Sequence, residues 1–349
     1  MNFKKILANV AIVAMTAALF AGCASSKNSA GNGKNNGASS NLPKVVNIGT
    51  QQMPNDEKIA IAKDFFEKEL GVKVKIIEFQ AGDIRNALVS KDIDFALLGS
   101  ASAAQGIASG IDIETIWIHE VLGNAEQLVA KKDSNINSIK DLKGKKVATP
   151  YTTTTHYSLL KALELNGMSE KDIKLFDMQM PDIYAAWQRG DIDAAYVWEP
   201  TLSNLLKDGR SIISSKDMAE KGVITSNVEV VRREFADKYP DLVTKYIKAV
   251  NKAVKLYNEN QADAIKTLSD SLEITPEEAL KQTKGSIWLT AEQQLDPAYF
   301  GTSDKKGNLV KSLKDTADFL YKQKNLKKEP QLDTFEKAVN PSFIEKAIK

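Results

Sequence analysis

The sequence predicts an α/β fold made of two lobes of similar plan, with the chain passing from one lobe to the other and back. Three observations carry this. Segments with strand spacing alternate with segments of helix spacing along most of the chain, the pattern of mostly parallel sheets covered by helices. A short pattern occurs twice, as Lys91-Asp92-Ile93-Asp94-Phe95-Ala96-Leu97-Leu98 and as Gly190-Asp191-Ile192-Asp193-Ala194-Ala195-Tyr196-Val197. Each copy follows a helical segment and runs through an apolar strand into a polar turn, Gly99-Ser100 in one and Trp198-Glu199-Pro200 in the other. Loops at the carboxyl ends of strands are where open α/β sheets bind ligands, so two such edges facing each other would enclose a cleft.

The elements follow in order. Residues 45–49 (VVNIG) form a short apolar run that reads as a strand. Residues 57–70 have helical spacing, with Ile61, Phe65 and Phe66 inward and Lys and Glu outward, and Gly71 ends the helix. Residues 72–79 set Val72, Val74 and Ile76 against Lys73 and Lys75, which is strand alternation. Residues 83–90 read as a helix and 95–98 as a buried strand. In the second lobe, strands are expected at 146–149, 173–178 and 210–214, with a helix from about Thr155 and another before the repeat, over 183–188. Residues 227–231 form a strand that returns to the first lobe. The remainder is mainly helical, at 240–257, 261–269, 276–283, 309–323 and 334–338. The first lobe is therefore expected at residues 44–128 and 228–349, and the second at 129–227.

The first 43 residues are of another kind. Lys4 and Lys5 form a basic head, and residues 6–20 are apolar apart from Asn9 and Thr16, short for a membrane span and right for the core of a signal peptide. Ala21-Gly22-Cys23 follows, small residues and then the only cysteine of the chain. This resembles a bacterial lipobox, which implies a leader over 1–22 and a lipid on Cys23; Phe20 departs from the usual Leu. Residues 25–41 are Ser, Asn and Gly with two Lys and two Ala, unable to bury surface against the cost of ordering, so 23–43 reads as a flexible tether. The folded part is then expected outside the cytoplasm, anchored to the cell membrane.

Composition excludes several classes. Of 349 residues, 43% are hydrophobic and 26% charged, an ordinary globular balance. Residues 1–43 carry four Lys and no acid, so the folded part has a small net negative charge, and nucleic acid is not an expected partner. With one cysteine no disulfide forms within the chain, and with two histidines, His119 and His156, a zinc site of the usual kind is not expected. There is no Gly-x-Ser-x-Gly elbow, no His-Glu-x-x-His and no phosphate loop, so no enzyme class and no cofactor is indicated. His119-Glu120 reads as a surface pair at a strand end.

Two segments carry a family resemblance. Thr152-Thr153-Thr154-Thr155-His156-Tyr157-Ser158-Leu159-Leu160 joins a strand to a helix, and a helix start offers free N–H groups and partial positive charge to an anion such as a sulfonate or carboxylate. The second is the run from Ala185 through Trp187 and the repeat to Pro200. Together with Leu98-Gly99-Ser100, Leu122-Gly123-Asn124-Ala125-Glu126 and Val230-Val231-Arg232-Arg233-Glu234-Phe235, they closely resemble the taurine-binding proteins of ABC importers, within the wider sulfonate, nitrate and thiamine-precursor binding proteins. The resemblance spans residues 45–323. It implies the two-lobed type II periplasmic-binding-protein fold, with two crossing strands at the hinge. It also implies a monomer that captures a taurine-like solute and hands it to a permease and its ATPase.

The resemblance places a ligand site residue by residue. Gln51 lies after the first strand and Ser100 ends the repeat strand of lobe one. Thr154 and Thr155 would hold the sulfonate. Glu126, helped by Asn227 or Glu229, would hold the amine. Trp187 and Trp198 would wall the cleft, although Trp187 shares a helix face with Ile183 and Ala186, so core packing stays open for it. The chain also departs from the family pattern. Asn227 stands where Asp is typical, Glu229 where an aromatic is usual, and Glu120 and Glu199 at places often small or uncharged. A buried carboxylate wants a positive partner, so a more cationic solute, or one that is no sulfonate, is the second reading. A structural surface lipoprotein is the third.

Overall fold

The computed structural model describes residues 42–349; the expected leader, Cys23 and nearly all of the tether lie outside them. The first stretch runs through strand β1 (Val45–Thr50), helices α1 (Asp56–Ala62) and α2 (Phe65–Leu70), strand β2 (Lys73–Glu78), helix α3 (Ile84–Val89), strand β3 (Phe95–Gly99), helix α4 (Ser100–Ala108) and strand β4 (Ile113–Leu122). The middle stretch is β5 (Glu126–Lys131), β6 (Lys146–Thr149), α5 (Thr154–Leu165), β7 (Lys174–Asp177), α6 (Met180–Arg189), β8 (Ala194–Trp198), α7 (Thr201–Leu205), β9 (Gly209–Ser214) and α8 (Ser215–Ala219). After β10 (Ser226–Arg232) come α9 (Arg233–Lys238), α10 (Pro240–Glu259), α11 (Gln261–Leu272), α12 (Pro276–Thr283), β11 (Ser286–Ile287), α13 (Ala291–Gln294), α14 (Asn308–Lys322), α15 (Leu332–Ala338) and α16 (Ser342–Ala347). Among the described residues no helix is long and apolar enough to cross a membrane.

Two sheets organise these elements, in strand order β11-β4-β10-β3-β1-β2 and β7-β6-β8-β5-β9. Each has a parallel trio, β2-β1-β3 and β7-β6-β8. Each trio is extended by an antiparallel strand that has just arrived from the other lobe, β10 against β3 and β5 against β8. The sheets are thus less purely parallel than the alternation of strand and helix predicts, because both crossings enter against the direction of the trio. The sequence places the first crossing at residues 128 and 129. The sheets place it earlier: β5 pairs with β8 from Glu126 onward, so the passage is the Gly123–Ala125 link. The return lies between α8 and Ser226, where β10 begins pairing with β4.

The repeat is structural down to single hydrogen bonds. Lys91 and Gly190 both take left-handed backbone, at φ 63° and 78°. The Asp92 and Asp191 amides each donate to the carbonyl five residues back, Ala87 and Ala186, both at 2.9 Å. Asp94 Oδ2 accepts the Asn47 amide (2.9 Å) and Asp193 Oδ2 accepts the Lys146 amide (2.8 Å), so each aspartate pins the start of the neighbouring central strand. Ile93 and Ile192 are both buried.

The helix predicted over 57–70 is broken. Lys63 caps α1, Asp64 turns left-handed at φ 56°, and α2 restarts at Phe65. The break lets Ile59 and Ala60 of α1 and Phe66 and Leu70 of α2 all reach one core, whereas Ile61 and Phe65 are only partly buried. Phe66 stacks on Tyr246 of α10 (4.7 Å), and Tyr246 stacks in turn on Phe95 of β3 (4.4 Å). In lobe two, separate apolar clusters cover the two faces of the sheet. One of them takes in Phe319 from the late helix α14, edge-on to Tyr157 of α5 at 5.4 Å, so the C-terminal helices also brace the second lobe.

Candidate ligand-binding site

A cavity of about 40 Å³ lies where the carboxyl ends of the two parallel trios meet. That is room for the atom centres of a compact solute. Lobe one supplies Gln51, Met53 and Pro54 from the β1–α1 loop, Leu98 and Gly99 from β3, Ser102 from α4, Glu120 and Leu122 from β4, and Asn227 from β10. Lobe two supplies Glu126 at the start of β5, Thr153 and Thr154 at the start of α5, and Trp198 and Glu199 at the end of β8. Gln282 of α12 closes one side. Among the described residues, three carboxyl groups and no Lys, Arg or His line the space.

Two helices begin at this cavity, one from each lobe. Gly99 is the N-cap of the nine-residue α4, and Thr153 is the N-cap of the twelve-residue α5, its hydroxyl accepting the His156 amide. First-turn amides have no partner within their own helix, so each start offers donors and partial positive charge. The two starts are nearly in contact: a Cβ placed on Gly99 would lie 3.0 Å from Thr154 Cγ2.

The expected site residues divide. Gln51, Glu126, Thr154, Trp198 and Asn227 line the cavity. Gln51 is oriented by donating from Nε2 to the Leu97 carbonyl (3.0 Å). Ser100 does not line it; its hydroxyl accepts the Ser226 amide (3.2 Å) and ties α4 to the start of β10, while Ser102, two residues on, faces the space. Thr155 turns inward and shares hydrogen bonds with the hydroxyls of Thr149 (2.8 Å) and Thr153 (2.9 Å), stiffening the strand–helix turn. Trp187 belongs to the lobe-two core. It is 1% exposed and its indole N–H donates to Asp208 (2.8 Å).

Glu229 is displaced as well. Two residues beyond Asn227, it lies about 7 Å deeper along β10, fully buried, and its Oε2 pairs with His119 Nε2 (2.8 Å). His119 Nδ1 meets Asp56 Oδ1 (2.6 Å), so the pair read as a strand-end surface feature is half core: His119 is buried between two carboxylates, and only Glu120 faces the cavity. Glu57 completes the cluster, accepting from Thr50 (2.6 Å) and Tyr246 (3.1 Å). Burial alone would lower the His119 pKa, but Asp56 and Glu229 outweigh it and hold the imidazole protonated well above its ordinary range. Burial raises the Glu57 carboxyl, and raises Glu229 to about 8. The donor atoms of Glu57, His119 and Glu229 lie within 4.8 Å of one another, close enough to serve a metal. Both ring nitrogens of His119 are already engaged by carboxylates, so protons supply the balancing charge in this arrangement.

The cavity carboxyls are shifted by burial too. Glu126, 2% exposed, is raised to about 7 despite accepting from the hydroxyls of Thr154 and Ser215 (2.9 Å to the latter). Glu120 is raised, with a hydrogen bond from Asn227 working the other way. Glu199 is raised, and Ser203 partly offsets it. Met53 and Gln282 were not expected at the site. Met53 comes in on a loop of no regular period, and Gln282 from a helix more than 150 residues away from Glu126, so neither leaves a local signal in the sequence.

Known proteins resemble the chain throughout its folded part. A family model described as NMT1/THI5 like matches residues 58–264. The taurine-binding periplasmic protein of Escherichia coli K12 is 36% identical over 285 residues, covering 80% of this chain and 86% of its own. A putative aliphatic sulfonates-binding protein of Bacillus subtilis 168 is 30% identical over 312 residues, covering 88% and 89%. Among solved structures, the alkanesulfonate-binding protein SsuA of Xanthomonas axonopodis pv. citri, bound to MOPS, superposes with a TM-score of 0.71 at 22% identity, over 85% of this chain and 98% of that one. Its two-sheet architecture is the fold described above. By sequence and by fold, the chain belongs to the NMT1/THI5-like family.

Proposed function

We propose that this protein is the solute-binding component of an ABC importer, capturing taurine or a similarly small amino-sulfonate outside the cytoplasm. One observation carries the reading: the starts of α4 and α5 converge on a compact cavity that also holds carboxyl groups. Helix starts favour an anion and carboxylates favour a cation, so the cavity is matched to a short zwitterion. The names of the relatives from Escherichia coli and Bacillus subtilis, a taurine-binding and a putative aliphatic sulfonates-binding protein, support a zwitterion bearing a sulfonate. The first-turn amides of α5, with Thr153 and Thr154, hold the sulfonate; Trp198 and Met53 cover the methylenes; a cavity carboxylate meets the ammonium.

Calorimetric titration of the purified protein checks this. Taurine is expected to bind with one-to-one stoichiometry and to be recovered unchanged, because the reading is capture without turnover. Tighter binding of a cation with no anionic group would replace the amino-sulfonate by the more cationic solute. The acceptor for the captured solute is a membrane permease with its ATPase, and Cys23 carries the lipid that keeps the protein near it. A Cys23→Ser form is expected to leave the membrane fraction; equal fractionation of the two forms would remove the anchor from the proposal.

A further inference from the structure

Three carboxyl groups reach the cavity, and the protein already uses most of their oxygens. Glu199 accepts the Ser203 amide at Oε2 (2.9 Å) and the Ser203 hydroxyl at Oε1 (3.0 Å), capping the start of α7. Glu126 accepts the Thr154 hydroxyl at Oε1 and the Ser215 hydroxyl at Oε2 (2.9 Å), both within lobe two. Glu120 is different. Its Oε1 accepts one Asn227 amide hydrogen (2.8 Å), across the register in which Asn227 of β10 faces Glu120 of β4. The one other donor near Glu120 among the described residues is the Ser286 hydroxyl, which has no other partner and acts with Asn227 to lower the Glu120 pKa. Glu120 is 6% exposed, and what it exposes lines the cavity, where a ligand can reach it. A carboxylate in a largely enclosed space with only neutral donors gains most from a cationic one.

We propose that Glu120, held in place by Asn227, is the residue that receives the ligand's ammonium, and that it selects amine-bearing sulfonates over plain ones. This rests on the proposed function, and it reassigns the ammonium from Glu126. Glu126 already has a hydroxyl donor on each oxygen, both from its own lobe, whereas Glu120 is held by the Asn227 amide from β10 and presents its remaining acceptor positions to the cavity. The assignment also spans the cleft. Glu120 stands on lobe one and the Thr153–Thr154 helix start on lobe two, so a ligand with both charges draws the lobes together, while one lacking the ammonium holds only one side. Asn227 suits the task because its amide orients a carboxylate without repelling it, as an aspartate in its place would.

Affinities for taurine, ethanesulfonate and ethylamine, measured by calorimetry on the parent and on Glu120→Gln, Glu120→Asp and Glu126→Gln, test this. In Glu120→Gln, taurine is expected to weaken ten- to a hundredfold, the loss of one charge-assisted hydrogen bond. Ethanesulfonate is expected to bind somewhat tighter, because a negative charge has left its surroundings. The preference for taurine over ethanesulfonate therefore collapses in Glu120→Gln and partly returns in Glu120→Asp, which restores the charge at shorter reach. Glu126→Gln is expected to weaken both sulfonates by a similar factor, by loosening the start of α5. Melting temperatures of all variants identify any that fail to fold, and Glu120→Asp then stands in for Glu120→Gln. A taurine preference that survives Glu120→Gln, or one lost selectively in Glu126→Gln, overturns the assignment. Should neither sulfonate bind the parent while ethylamine binds and loses affinity in Glu120→Gln, the sulfonate reading falls and Glu120 keeps its role. If the parent binds none of the three, both fall.

Discussion

The two tryptophans named from the sequence show how little separates a wall of the site from a brick of the core. Trp198 ends β8 and lines the cavity. Trp187 sits on α6, packs in the lobe-two core, gives its N–H to Asp208 and lies 5.3 Å beneath the Lys131 ammonium. An indole that meets solvent and ligand changes its emission when the cleft fills; one sealed in a core does not. Trp198→Phe is therefore expected to remove most of the ligand-linked fluorescence change. Trp187→Phe is expected to keep that change and instead cost about 1–3 kcal/mol in denaturant unfolding, through a lost hydrogen bond and poorer packing. A ligand response that disappears with Trp187 and persists without Trp198 would reverse the two assignments.

At the scale of elements, closure depends on two close approaches where a side chain has no room. Gly285, just before β11, would place a Cβ 2.5 Å from the Ala125 amide nitrogen, and its carbonyl accepts that amide's hydrogen (3.1 Å). The first crossing is thus clamped by a segment some 160 residues later in the chain. Gly285→Ala is expected to destabilise the protein by about 1–3 kcal/mol, since backbone has to shift. Gly99 differs, because the atom it would meet, Thr154 Cγ2, belongs to the opposite lobe. Gly99→Val is expected to hold the lobes apart: ligand affinity falls several-fold while the melting temperature without ligand changes by a degree or two. X-ray scattering with saturating ligand checks this, and a radius of gyration equal to the parent's would argue against it.

For the molecule as a whole, the buried Asp56–His119–Glu229 cluster with Glu57 makes stability depend on pH. Glu229, raised by burial to about 8, contributes stability that is fully present below its unfolded value near 4.5 and is lost as pH rises through 8. Glu57 shifts in the same direction. His119, protonated well above its ordinary 6.5, adds stability present below 6.5 and lost at higher pH. All three signs agree, so the melting temperature is expected to fall between pH 6 and pH 9, by an amount on the order of a few kcal/mol in free energy. Glu229→Gln keeps an acceptor for His119 without the acid, and is expected to flatten that slope. Calorimetry in buffers from pH 6 to 9 decides it: a flat or rising melting temperature in the parent would refute the account.

Much of this protein was determined by its sequence alone, because the signals involved are local. Hydrophobic period needs only a few neighbouring residues, so β1, β2, β3 and the long C-terminal helices are legible. So is the repeat, whose pattern is a short consecutive run even though its aspartates bond Asn47 and Lys146 on other strands, and so is the helix start at Thr153–Thr154, which depends on four consecutive residues. Tertiary structure decided the rest. The break at Asp64 exists because α1 and α2 must both reach α10. Depth along β10 separates Asn227 at the cavity from Glu229 in the core, although two residues on one strand look equivalent in sequence. How each carboxylate is engaged was settled by partners far away in the chain: Ser215 for Glu126, 89 residues on, and Asn227 for Glu120, 107 residues on. A carboxylate's role is set by the donors that surround it, and those donors are brought together only by the packing of two lobes.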